Sequence, residues 1–138
     1  VIILRYGYAH PAIYGQLQRN LSIAGIDGTL HSLLRSDKLK GKIHGKTGTL
    51  SHPYGISSLA GYATGSNGHL LAFAIMDHQM SVLDARVLQR ELCTVLVEKP
   101  KPPSKSVQKV ISMDCESSSQ PAQNTTILVH IYAQIATQ

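Results

Sequence analysis

Lys46-Thr47-Gly48-Thr49, inside the run Gly41–Leu50, sets a cation, two hydroxyls and a residue without Cβ on successive positions of an extended segment. Gly48 lets a ligand and neighbouring side chains come close to the backbone. Thr47 offers a hydroxyl donor to a carboxylate, and Lys46 adds positive charge. An extended peptide that ends in a carboxylate suits the edge of such a strand, where it can lie antiparallel and exchange main-chain hydrogen bonds. The plainer reading of the same residues is a solvated edge strand, in which Lys discourages edge-to-edge pairing and Thr favours extended backbone. The triplet alone does not decide between them, because three residues recur by chance.

The elements that must position this strand are legible on both sides of it. Pro11 suits a first helical position, and Ile13, Leu17 and Leu21 recur at helical spacing, which predicts a helix over 11–21. Gly25 and Gly28 break it into a turn, and 29–34 reads as a short helix or turn. The first strand is expected over 42–50. The connection Ser51-His52-Pro53-Tyr54-Gly55 carries turn residues and reads as a small lip over the cleft. A second strand follows over 56–64, then Asn67-Gly68, a strong hairpin signal, then a nearly continuous apolar strand over 69–77. Ser81 with Asp84 three residues on has the form of a helix N-cap. A helix over 82–98 follows, with Ala85, Leu88, Leu92, Val95 and Leu96 expected on one face against the sheet. Pro100-Lys101-Pro102-Pro103 ends it, and residues 99–138 read as a Pro/Ser-rich linker and disordered tail, with 126–135 β-prone. The fold class expected is therefore α+β, an antiparallel three-stranded meander with flanking helices.

Beyond the triplet, Leu4-Arg5-Tyr6, His10-Pro11, Gly25-Ile26-Asp27-Gly28-Thr29-Leu30, Gly45–Leu50, Ser57-Ser58-Leu59-Ala60-Gly61-Tyr62 and Leu71–Ile75 occur in this order. Together they resemble the C-terminal part of the D-alanyl-D-alanine carboxypeptidase/endopeptidase family of the penicillin-binding protein 4 type, over roughly residues 4 to 97. Lys-Thr-Gly on a strand is one of the motifs of these serine peptidases. The resemblance implies a penicillin-binding/β-lactamase-like transpeptidase domain, of which residues 1–98 are the C-terminal part. It implies peptidoglycan stem peptides and β-lactams as partners, together with the missing N-terminal half of the same domain. By the same resemblance Lys46 joins the proton network around the serine hydroxyls, the Thr49 N–H forms half of an oxyanion hole, and Thr47 and Gly48 bind substrate. Its location implied is the periplasm or cell envelope.

The family's nucleophile lies in Ser-x-x-Lys and a second serine in Ser-x-Asn, both ahead of Lys-Thr-Gly. Only 45 residues precede Lys46 here, and they hold neither motif. Ser32-Leu33-Leu34-Arg35 has the spacing, but Arg does not deprotonate to act as a base. Ser106-Val107-Gln108-Lys109 follows Lys-Thr-Gly in a polar stretch and reads as a chance match. The chain is thus expected to be a partial serine-type D-Ala-D-Ala carboxypeptidase, inactive alone. The alternatives are a non-catalytic module that binds by strand addition, or a remnant reading frame.

Composition narrows the remaining classes. A net charge of +5 and a pI near 9.4 invite a nucleic-acid reading, but aromatics are 5% and no basic face is interleaved with them. The seven histidines lack His-x-x-x-His or His-Glu-x-x-His spacing, so neither metal nor cofactor is expected. Cys93 falls on an apolar helical face and reads as a buried small hydrophobe. Asp27 reads equally as a charge near the cleft or a turn-stabilising side chain, and Ser57 and Ser58 as ordinary strand residues. No apolar run reaches membrane-spanning length.

Overall fold

The structure, a computed structural model, describes residues 1–50 and 55–98, and the backbone of 108–112 and 126–132. Helices α1 (Ile2–Ala9) and α2 (Pro11–Asn20) precede a two-residue strand β1 (Ser22–Ile23) and a short helix α3 (Leu30–Leu33). Strands β2 (Ile43–Leu50), β3 (Ile56–Thr64) and β4 (Leu70–His78) form the antiparallel meander, and helix α4 (Val82–Glu98) follows. Strands β5 (Gln108–Ser112) and β6 (Thr126–Tyr132) complete a sheet of order β1-β2-β3-β4-β6-β5.

The α+β class and the meander stand, but the count of three strands does not: the sheet has six. Two reasons account for the difference. A two-residue strand such as β1 is too short to show a period-2 pattern. Residues 126–135 read as β-prone, but β6 joins β4 from far along the chain, with Ile75 opposite Val129, and a partner so distant leaves no local mark. Of the stretch expected to be linker and tail, these two strands are what is described; the lip at 51–54 and the Ser106 match lie outside the described residues.

Register divides the sheet into two faces. On one, the rows Ile43–Ala63–Leu71, Gly45–Gly61–Phe73 and Thr47–Leu59–Ile75 run across β2, β3 and β4. Most of these residues are fully buried, and with Leu30, Leu34, Leu39, Cys93, Leu96 and Val97 they make the core. The fourth row on this face is Thr49–Ser57–Asp77, so the apolar face turns polar at the end nearest the start of α4. The opposite face is covered at one end by α1 and α2. There the Tyr62 hydroxyl donates to the Leu4 carbonyl at 2.6 Å and its ring meets Tyr14 edge-on.

Helix α4 begins as its cap residues predict. The Asp84 N–H donates to Ser81 Oγ at 3.1 Å, and the Ser81 hydroxyl donates to Asp84 Oδ2 at 2.7 Å. Its buried stripe keeps Ala85 and Leu96 of the expected one, with Leu88 and Leu92 packed against the core at its margin, and departs from it at Gln89 and Val95. Ala85, Gln89, Cys93, Leu96 and Val97 face the sheet, and Val95 is 53% exposed. The stripe is rotated because a polar residue, Gln89, occupies its centre.

Candidate functional site

The outer edge of β2 is only partly covered. Strand β1 pairs with it at Ile23–His44 and Ser22–Gly45 and goes no further. From Lys46 onward no described strand lies beside that edge. Two hydrogen bonds fix which residues point outward. The Lys42 carbonyl accepts from Thr64 N–H on the β3 side, and the Ile43 carbonyl accepts from Ala24 N–H on the other. The β2–β3 register continues without a bulge to Leu50, so the alternation holds. It turns the backbone N–H and C=O of Thr47 and Thr49 toward the open edge, where an added strand can pair with them once the Lys46 ammonium leaves the Thr47 carbonyl.

The alternation also separates the sequence-selected side chains. Thr47 and Thr49 project on the core face, and Lys46 and Gly48 on the other. Thr47 Oγ1 lies 3.1 Å from Thr29 Oγ1, which ties the Gly25–Leu30 segment to the Lys-Thr-Gly strand. Lys46 is exposed, and its Nζ reaches round the edge to donate to the Thr47 carbonyl at 2.6 Å. A Cβ on Gly48 would stand 2.6 Å from Ser58 Oγ, so the missing side chain leaves room for a cross-strand hydroxyl. Asp27 is a turn residue: its Oδ1 accepts the Ile23 N–H at 2.6 Å.

Beside Thr47 and Thr49 a cavity of about 520 Å³ opens between β2, β3 and α4; Ser57, Gln89, Arg86 and Arg90 are among its lining residues. Behind it lies a buried polar cluster. Gln89, 1% exposed, donates through Nε2 to Asp77 Oδ2 at 2.7 Å and to Ser57 Oγ at 3.0 Å. Asp77 is fully buried and its Oδ1 has no hydrogen-bond partner among the described residues. Burial raises the Asp77 carboxyl pKa above its ordinary 3.8, and the Gln89 hydrogen bond acts in the opposite sense. Burial likewise pushes the Cys93 thiol up to about 12, which marks it as an inert core residue.

Sequence reasoning read Ser57 as an ordinary strand residue and did not single out Gln89 or the two arginines. Arg86 and Arg90 give only the signal of cations one helical turn apart, which a solvated helix face also gives. Gln89 gives none, since its burial depends on what α4 packs against. No group of His, Cys, Asp and Glu able to hold a metal occurs among the described residues, and no described helix is long and apolar enough to cross a membrane.

The Asp77 shift fixes the sign of a pH dependence. The folded state holds the Asp77 proton to a higher pH than the unfolded chain does. Its contribution to stability is therefore full below about 3.8 and is lost as pH rises through the raised value. In urea titrations from pH 3.5 to 7, Asp77→Asn should flatten this component of the wild-type profile. Identical profiles for the two proteins would mean that Asp77 is ionised at the same pH folded and unfolded.

Residues 1–98 match the model of the D-Ala-D-Ala carboxypeptidase 3 (S13) family. No curated protein and no solved structure gives a match.

Proposed function

The chain belongs to the D-Ala-D-Ala carboxypeptidase 3 (S13) family, and on that premise we propose that β2 is the substrate-binding strand of a serine-type D-Ala-D-Ala carboxypeptidase/endopeptidase of the penicillin-binding protein 4 type. The sheet and its helices then form the C-terminal part of a penicillin-binding/β-lactamase-like transpeptidase domain. The substrate is a peptidoglycan stem peptide, and β-lactams occupy the same place. On this reading the chain works in the periplasm or cell envelope, where that polymer is found.

One observation carries the proposal: no described strand pairs with the outer edge of β2 from Lys46 to Leu50, where the N–H and C=O of Thr47 and Thr49 face outward. An extended peptide laid antiparallel there receives main-chain hydrogen bonds, and the Thr47 and Thr49 hydroxyls meet its terminal carboxylate. In the reaction a serine Oγ attacks the carbonyl of the penultimate D-Ala. The Oγ–C bond forms, the C–N bond to the last D-Ala breaks, and the serine proton ends on the departing amine. Water then cleaves the ester and restores the hydroxyl. The Thr49 N–H holds the oxyanion of each tetrahedral intermediate, a donor whose loss typically costs about 3 kcal/mol of barrier. Lys46 takes part in the proton transfers after leaving the Thr47 carbonyl. No serine of this chain is assigned as the nucleophile, because no Ser-x-x-Lys precedes Lys46.

The same strand edge also suits a second reading, a module that binds cell-wall peptide by strand addition without chemistry. With the N-terminal half of the domain joined ahead of residue 1, incubation with a β-lactam followed by intact-mass measurement separates the two: an adduct whose mass is the protein plus the β-lactam supports catalysis, and noncovalent binding alone supports the module. Both readings share one test on the 138-residue chain. Thr47→Val keeps volume and extended propensity but removes a hydroxyl donor to a charged group, worth about 1.5–3 kcal/mol. Affinity for a D-Ala-D-Ala peptide, measured by calorimetry, should fall about ten- to hundred-fold with the melting temperature nearly unchanged. Wild-type affinity in a folded Thr47→Val protein would remove β2 from the binding site.

A further inference from the structure

We propose that Arg86 and Arg90 of α4 are the charge partners of the substrate's terminal carboxylate, which sits in the cavity between them and the Thr47 and Thr49 hydroxyls. The inference rests on the reading of β2 just given and assigns the cation that reading lacks. Lys46 does not supply it from within the cavity. It stands on the opposite sheet face, and its ammonium is engaged by the Thr47 carbonyl.

The cavity lining is rich in hydrogen-bond donors. Thr47, Thr49, Ser57, Arg86 and Arg90 line the cavity, and no Asp or Glu is among its described lining residues. Ser57 is held in a donating posture. Its oxygen already accepts from Gln89 Nε2, so its own proton is left for a ligand. The nearby carboxylate, Asp77, is not part of the lining and is engaged by Gln89. Among the described residues neither guanidinium has a hydrogen bond or ion pair. Like charges four apart weaken a helix, and no described residue pairs with either guanidinium to offset them. An anion bound between them would, and guanidinium groups pair with carboxylates through two parallel hydrogen bonds.

The remaining wall selects the kind of carboxylate. Leu83 and Val87 line the same cavity and are 72% and 46% exposed, so an apolar surface stands beside the cations. A small aliphatic amino acid with a free carboxylate, such as a terminal alanine, presents a methyl and an anion together.

Calorimetry on the 138-residue chain tests this with an N-acetylated tripeptide ending in D-Ala-D-Ala, as the free acid and as the C-terminal amide. Wild type should prefer the acid by about ten-fold or more. Arg86→Gln/Arg90→Gln should reduce that preference to about two-fold or less, and Arg86→Lys/Arg90→Lys should restore part of it. Arg19→Gln/Arg35→Gln, which removes the same charge elsewhere on the surface, should leave the preference intact. Should the double glutamine variant not fold, the salt dependence of wild type decides: acid binding should weaken with NaCl and amide binding should not. A preserved preference in folded Arg86→Gln/Arg90→Gln, or equal wild-type affinities for acid and amide, overturns this inference and leaves strand addition standing. If wild type binds neither peptide, the strand-addition reading falls and this assignment with it.

Discussion

Gly61→Ala should lower folding stability by about 3 kcal/mol, near the upper end of what overpacking costs. A Cβ at position 61 would run into the His44 carbonyl oxygen and stand 2.6 Å from Gly45 Cα. Both are backbone atoms of the neighbouring strand, so no side-chain rotation relieves the clash. The strands must part, and they part next to Lys46. Gly15→Ala is the matched control. Its Cβ would meet only the end of Arg19 at 3.9 Å, and in a helix Ala is favoured over Gly by about 1 kcal/mol. The two substitutions should therefore move the urea midpoint in opposite directions. A midpoint for Gly61→Ala within error of wild type would show that β2 and β3 are not held this close.

Gln89→Leu should have a comparable effect by a different route. It removes the hydrogen-bond donor shared by Asp77 and Ser57 and leaves a fully buried carboxyl with no partner among the described residues. Stranding a buried polar group costs about 1–3 kcal/mol, and more when the group is charged. The loss should be about 3 kcal/mol at pH 7 and smaller near pH 4, where a larger share of the Asp77 carboxyl keeps its proton. Asp77→Leu/Gln89→Leu removes the stranded group as well and should recover much of the stability. A single variant no worse than the double would mean that the two residues are not coupled. The cluster matters to the site because Gln89 fixes Ser57 at the cavity.

Several parts of this molecule follow from local sequence because their causes are local. Lys46–Thr49 sits on a strand that follows the Gly41 turn and in which Thr47 and Thr49 favour extended backbone. Helix α4 starts where Ser81 and Asp84 satisfy each other's first-turn groups, and Asn67-Gly68 closes the hairpin between β3 and β4. A stripe read from hydrophobicity, by contrast, put Val95 toward the sheet and left Gln89 unremarked. Apolar periodicity assumes that what faces the core is apolar, and here Asp77 and Ser57 create a polar niche that Gln89 fills.

What tertiary structure decided is the site itself. Residue order gives Lys-Thr-Gly-Thr as one motif, yet pairing with β3 sends Thr47 and Thr49 to one face and Lys46 to the other. The open edge exists because β1 stops opposite Gly45, and nothing in the residues of β2 states where a distant two-residue strand ends. Arg86 and Arg90 join the threonines because α4 packs its Gln89 face over the polar end of the sheet. Each of these depends on contacts between segments far apart in the chain. Such contacts are selected by the summed burial and hydrogen bonding of the whole fold, so no local window of the sequence carries them.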